Sequence, residues 1–306
     1  MQQIRANGKI LLSGEYGVLD GAQSLALPTQ LGQIFRFEKI NEPEIQWKSL
    51  FADNSLWFEV IFKLENNQLF EQITPATSET TRLKEILEYI FIRKPNLAQT
   101  GGYKITSQLE FDKDWGLGSS STLIYALSKW AGVNAYELLE NTFGGSGYDL
   151  ACADASTAIL YKKTNQPYTP SVQPIHFAPD FKEQLFFVYL NEKKNSREAI
   201  AHYQQLKKSQ RTHLIEVQNR ITQNLLTAQT LTDFEAVLEK SESVLSRVLG
   251  IKTVKEERFK DYPYSIKSLG GWGGDFVLVT TRKAKDMDYF IHQGYTNYFS
   301  FEDFIK

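Results

Sequence analysis

DWGLGSSSTLIYALSKW, residues 114–130, is the stretch on which the reading of this chain turns. Two glycines and three consecutive serines precede Leu123, Ile124, Leu127, Trp130 and Ala131. Those apolar residues recur at helical spacing, which predicts a helix with its N-terminus at Ser119–Thr122. Upstream, YKITSQLEF at 103–111 alternates, with Tyr103, Ile105, Leu109 and Phe111 on one face and Lys104, Thr106, Gln108 and Glu110 on the other, the pattern of a half-buried strand. The glycines and serines therefore stand at a strand-to-helix junction. Unpaired backbone N–H groups and the positive end of the helix dipole favour an anion there. Gly116 and Gly118 let the backbone come close, and the hydroxyls of Ser119, Ser120 and Ser121 add ligands for phosphate or Mg²⁺. One serine alone would read as a helix cap. A run of G-L-G-S-S-S exceeds what a cap needs. The chain carries neither G-x-x-x-x-G-K-[ST] nor an H-R-D and D-F-G set, which excludes a Walker loop and a protein kinase.

The remainder of the composition narrows the partner. The 306 residues are 42% apolar and 13% aromatic, enough to fill the cores of one large or two ordinary domains. The 34 basic and 36 acidic residues give a net charge of −2 and are interspersed, so neither a nucleic-acid nor a membrane-surface footprint is present and a small-molecule partner is expected. A single cysteine, Cys152, and four histidines offer no disulfide and no zinc spacing, as suits a reducing cytoplasm. The opening run is broken by Gly14 and Glu15, unlike a signal peptide, and no apolar run approaches membrane-spanning length.

Along the chain, KILL and QIFRFEKI read as strands, and RLKEILEYIF places Leu83, Ile86, Leu87 and Ile90 on one helical face. Four prolines in TNQPYTPSVQPIHFAPD, 164–180, break helix and strand alike and read as a connector. Beyond it come a strand LFFVYL, helices near 196–208, 211–228 and 232–249, and a strand DFVLVTT. Helices and strands mix without regular alternation, which favours α+β.

Three further stretches carry polar groups suited to chemistry. NGKILLSGEYGVLDG, 7–21, holds Lys9 at a strand start and Glu15 in a glycine-flanked turn. FGGSGYDLACADAS, 143–156, holds Asp149 between glycines and a helix, where an N-cap is the plain alternative. SLGGWGGDFVLVTT, 268–281, is a glycine-rich turn before a buried strand.

In this order the stretches resemble the GHMP kinase superfamily, ATP-dependent small-molecule kinases that include galactokinase, homoserine kinase, mevalonate kinase and phosphomevalonate kinase. GKILLSGEY is similar to the first family motif, GLGSSST to the phosphate loop, GSGYDLACADAS to the aspartate-bearing segment and GGWGGDFVLV to the glycine-rich third motif. LNEKKNSREAIAHY is similar to a substrate-side strand, loop and helix, with Ser196 where threonine is common. The resemblance implies an α+β fold of two domains, 1–165 like domain 2 of ribosomal protein S5 and 166–306 ferredoxin-like, with the site between them. It implies ATP and Mg²⁺ as cofactors. Asp149 would accept the proton of the attacking hydroxyl, and Lys9 would hold that carboxylate ionised and stabilise transferring charge. Gly116, Gly118 and Ser119 to Ser121 would grip the ATP phosphates, and Glu15, Tyr16, Ser196, Gly271 and Gly273 would meet the acceptor. Ser120 and Glu137 would hold the metal, although NAYE also reads as a capping box from Asn134 to Glu137.

Departures from the family pattern are visible too. Asn7 stands where proline usually opens the first motif, DKDW replaces a proline before the phosphate loop, and Trp272 replaces a small residue. GEYGVLDG and GGD at 273–275 lean toward mevalonate or phosphomevalonate as acceptor. An anionic acceptor calls for further cations, for which Arg197 and Lys267 are candidates, each otherwise a solvated surface charge. A sugar or sugar-phosphate kinase of the same mechanism, and a non-catalytic binding protein on this fold, are the alternatives.

Overall fold

A computed structural model describes residues 1–65, 68–71, 77–99, 101–193, 196–270 and 275–306. Two sheets organise the chain. The larger contains β1 (Gln2–Ser13), β2 (Ser24–Ile40), β3 (Glu44–Leu50), β4 (Leu56–Glu65), β5 (Gln68–Glu71), β6 (Gly102–Leu109), β7 (Ile159–Lys162) and β8 (Ser171–Pro174). Its order is β5-β4-β3-β6-β2-β7-β8, with β1 also paired to β2. The β3–β6 pair is parallel and the others are antiparallel. The smaller sheet takes β9 (Leu185–Tyr189), β10 (Ile266–Leu269), β11 (Phe276–Thr280) and β12 (Tyr298–Ser300) in the antiparallel order β10-β11-β9-β12.

The alternation at 103–111 and the helical periodicity at 82–91 become β6 and the helix Ser78–Arg93, which buries Leu83, Ile86, Leu87, Ile90 and Phe91. That face packs with Phe35, Phe37, Trp47, Phe62 and Ile105 of the sheet and Ile124 and Leu127 of the helix Ser119–Ala131. A second core joins the two sheets: Ile10, Leu12, Leu27 and Leu109 meet Phe187, Phe234, Phe276 and Phe304. At roughly 1.5–3 kcal/mol for each large apolar side chain fully buried, this shared core holds the two sheets in one arrangement.

The proline-rich connector differs from its expectation in one respect. Ser171–Pro174 pairs with β7 as the last strand of the larger sheet. An edge strand tolerates proline because one side of it needs no ladder donor. Among the described residues, no helix is long and apolar enough to cross a membrane.

Candidate active site

The helix Ser119–Ala131 begins at Gly118, whose φ of 94° is left-handed, and no side chain caps it. Its first intrahelical bond runs from Thr122 N–H to Gly118 C=O, 3.0 Å. The N–H groups of Ser119, Ser120 and Ser121 are thus left at the helix end, where an anion is favoured. The serines are not caps. Ser121 is buried and its hydroxyl donates to Gly118 C=O at 2.8 Å, while Ser120 is exposed. Glycine is required at 118: a side-chain carbon there would stand 2.7 Å from Ser121 Oγ and 3.3 Å from Lys9 Cγ.

Lys9 comes from the middle of β1, beside a register shift between Asn7 and Lys9 in its pairing with β2. Its backbone N–H donates to Leu117 C=O at 3.1 Å and its Nζ to Gly116 C=O at 2.8 Å, so the lysine ties β1 to the phosphate loop. Nζ also lies 5.7 Å from the Tyr148 ring centre. Burial alone would lower the Lys9 pKa, but Tyr148, Asp149 and Asp275 together raise it. Asn7, in the usual proline place, donates to Ala155 C=O at 2.7 Å and so fastens β1 to the end of the aspartate-bearing helix.

Asp149 stands in the first turn of the helix Tyr148–Asp154, whose N-cap is Gly147, so the aspartate is not the cap. Its Oδ1 accepts from Leu150 N–H at 3.0 Å. Burial pushes its carboxyl up, with Lys9 partly opposing. Tyr148 beside it is pushed up to about 12, chiefly by burial. Lys9, Asp149, Gly116, Gly118 and Ser119 to Ser121 line one cavity of about 390 Å³, together with Glu15, Tyr16, Gly270 and Asp275. Leu11, Val18, Leu19 and Ile200 supply its apolar wall.

The first-motif turn is held from the second half of the chain. Gln218, on the helix Lys208–Thr227, donates to Glu15 C=O at 2.5 Å, and Ser13 and Thr222 hydroxyls pair at 2.7 Å. Tyr16, at a positive φ of 61°, packs its ring 6.1 Å from Tyr203.

Two expected residues are placed elsewhere. Glu137 sits outside the cavity on the short helix Ala135–Glu140. Its carboxylate accepts from Tyr89 at 2.9 Å and pairs with Arg93 at 3.0 Å. Asn134 caps the N–H groups of Tyr136 and Glu137, which accounts for the spacing by helix capping. Lys267 is fully buried and paired with Glu15 and with Glu242 of the helix Leu231–Leu249, so it is neither a surface charge nor open to the cleft. Ser196 and Arg197 fall in the first turn of the helix Ser196–Gln205, and their side chains lie outside the described residues. Gly271, Gly273, Trp272 and Gly274 also lie outside them.

A second cavity, about 500 Å³, shares Ser119, Ser120 and Lys193 with the first. Trp47, Trp57, Phe58, Arg82 and Phe143 line it, and the Arg82 guanidinium lies 5.3 Å over the Phe143 ring. Nothing in the spacing of these residues along the chain announces a common wall. Lys113 and Lys193 at the rim of the first cavity were likewise not singled out by any motif.

No family model and no curated protein matches this chain. Solved structures do match. The Methanococcus jannaschii mevalonate kinase is 17% identical with a TM-score of 0.69, over 97% of this chain and 96% of its own. The Streptococcus pneumoniae phosphomevalonate kinase, in complex with phosphomevalonate and AMPPNP, is 16% identical with a TM-score of 0.66 over 96% of each chain. A Lactococcus lactis galactokinase complexed with galactose is 13% identical with a TM-score of 0.68, over 97% of this chain and 92% of its own. The chain therefore has the two-sheet α+β fold of the GHMP kinases.

Proposed function

We propose that this protein is an ATP-dependent small-molecule kinase of the GHMP type, with 1–165 carrying the phosphate loop and 166–306 completing the site. What carries the reading is the meeting of Lys9, Asp149 and the uncapped end of the helix Ser119–Ala131 in one cavity. The N–H groups of Ser119 to Ser121 would hold the ATP phosphates, and the aromatic cavity that shares Ser119 and Ser120 with the first would take the adenosine end. Asp149 takes the proton of the acceptor hydroxyl, and its burial makes it a stronger base than a solvated aspartate. Lys9 keeps its charge beside Asp149 and stabilises the negative charge that develops on transfer.

The cleft fits a hard cation through oxygen donors, among which the exposed Ser120 hydroxyl stands at the helix end. Among the described residues no three His, Cys, Asp or Glu side chains group as a metal site, so hydroxyls and the nucleotide itself supply most ligands. Mg²⁺ held there would supply charge neutralisation for the phosphates during transfer.

For the acceptor we propose mevalonate or phosphomevalonate, on the GEYGVLDG and GGD stretches. One observation favours the second reading, a sugar or sugar phosphate: the engagement of Lys267 by two glutamates removes a cation that an acidic acceptor would use. The test is ADP release with mevalonate, phosphomevalonate and a panel of sugars at equal concentration. The acids are expected to give the highest kcat/KM. A sugar turning over far faster overturns the acceptor and leaves the kinase. No turnover with any of them, and no thermal stabilisation by Mg·ATP, overturns both and leaves a binding protein.

A further inference from the structure

One carboxylate in the cleft has no part in the reaction as drawn. Asp275 enters β11 from the third motif, is 8% exposed, and holds a φ of 47°, a left-handed conformation uncommon outside glycine. Its backbone is pinned on both sides, its N–H donating to Glu192 C=O at 3.1 Å and its C=O accepting from Leu190 N–H at 2.8 Å. The side chain reaches across to the phosphate loop. A methyl group on Gly116 would overlap the Asp275 carboxylate, and one on Gly270 would stand 2.8 Å from Asp275 Oδ2. Both turns are therefore glycine where this carboxylate passes.

The charge balance makes that placement informative. Glu15 is matched by Lys267, and Asp149 and Asp275 line the cavity with Lys9 beside them and with the exposed Lys113 and Lys193. A polyphosphate brought to the helix end meets a nearly buried carboxylate of the same sign, and at such range in a partly dry cleft the repulsion is large unless a cation stands between them. A carboxylate, serine hydroxyls and phosphate oxygens are the donors that a small divalent cation takes. Strained residues of this kind persist where the surrounding structure fixes them, and they cluster at ligand sites.

We propose that Asp275 is the carboxylate ligand of the divalent cation that enters with the nucleotide. It takes the place expected of Glu137, whose carboxylate is turned to Arg93 and Tyr89 outside the cavity. The inference rests on the nucleotide-binding reading above.

The test is a Mn²⁺ titration of the full chain with a non-hydrolysable ATP analogue, following free Mn²⁺ by its electron paramagnetic resonance signal. The analogue alone is titrated in parallel by calorimetry in EDTA. Asp275→Asn keeps the shape and a residue type that tolerates the left-handed region, and Asp275→Gly removes the strain outright. Either variant, melting as the wild type does, is expected to bind Mn²⁺ in the ternary complex roughly 10- to 100-fold more weakly. Metal-free analogue binding is expected to hold or tighten, because a like charge has left. Unchanged Mn²⁺ affinity in a folded variant overturns the assignment, and so does an equal loss of metal-bound and metal-free binding, which marks a loop-positioning role. A wild-type chain that binds no analogue with or without Mn²⁺ overturns the nucleotide reading itself.

Discussion

Replacing Glu242 by glutamine tests the charge balance behind the acceptor wall. Glu15 from the first motif, Lys267 from β10 and Glu242 from the helix Leu231–Leu249 meet there, and Lys267 pairs with both carboxylates. Ser268 donates its hydroxyl to Glu242 Oε2 at 3.1 Å, while Glu15 Oε2 and Glu242 Oε1 are buried without a hydrogen-bond partner among the described residues. Burial, opposed by Lys267 and reinforced by the Glu15 carboxylate, pushes the Glu242 carboxyl from 4.5 up to about 7. Because the folded value lies above the unfolded one, the contribution to stability is complete below about pH 4.5 and is lost as pH rises through about 7. The full loss is about 3 kcal/mol. Glutamine has the same shape, keeps the acceptor that Ser268 uses, and stays neutral throughout. The stability of Glu242→Gln relative to wild type should therefore rise by about 3 kcal/mol between pH 4.5 and pH 8. Urea unfolding of both proteins at matched pH measures this difference directly. A difference that stays constant across the range, or falls, refutes the argument, whatever its absolute size.

Asp149→Asn should lower kcat roughly 10²- to 10⁴-fold with nucleotide affinity retained, read from steady-state rates and calorimetry, because proton abstraction and phosphate binding use different groups. Gly116→Ala places a methyl group against the Asp275 carboxylate at a φ of 65° and should abolish nucleotide binding while destabilising the fold by roughly 1–3 kcal/mol, seen by calorimetry and urea unfolding. Glu137→Gln should leave Mn²⁺ and nucleotide affinity unchanged, because the pair it breaks with Arg93 is exposed and outside the cavity.

The parts of the site that local sequence announced are those whose physics is local. A strand, a glycine and serine turn and a helix at 103–131 make an anion cradle by their own backbone, and the cradle stands where the spacing put it. Asp149 and Lys9 were legible through motifs that bracket them with glycine. Glu137 was not separable from a metal ligand, because capping and ligation ask for the same residue at the same spacing. Only the direction in which the helix Ala135–Glu140 faces decides between them. Lys267 misled for another reason. All four residues of β10 are buried, so the strand carries no alternation from which to read an inward lysine, and composition alone puts lysine on the surface. The aromatic cavity draws on β3, β4, the helix Ser78–Arg93 and the turn at Phe143, segments that only the sheet order brings together.

The burial of Lys267 bears on the acceptor question. Glu15 lines the cleft on one side, and its carboxylate is held from behind by Lys267 of the smaller sheet. The first motif therefore presents a wall whose charge is set by residues more than two hundred positions away, and no motif spacing records that partnership. With Glu242 protonated, the cluster of Glu15, Lys267 and Glu242 balances; with it ionised, the cluster carries one excess negative charge directly behind the acceptor. An acceptor bearing a carboxylate or phosphate is repelled by that excess charge, whereas a neutral sugar is nearly indifferent to it. The pH dependence of acceptor KM thus carries information that the motifs do not. A KM that rises across neutral pH for an acid, and flattens in Glu242→Gln, places an anionic group near Glu15, and a flat profile in both proteins removes it from that wall.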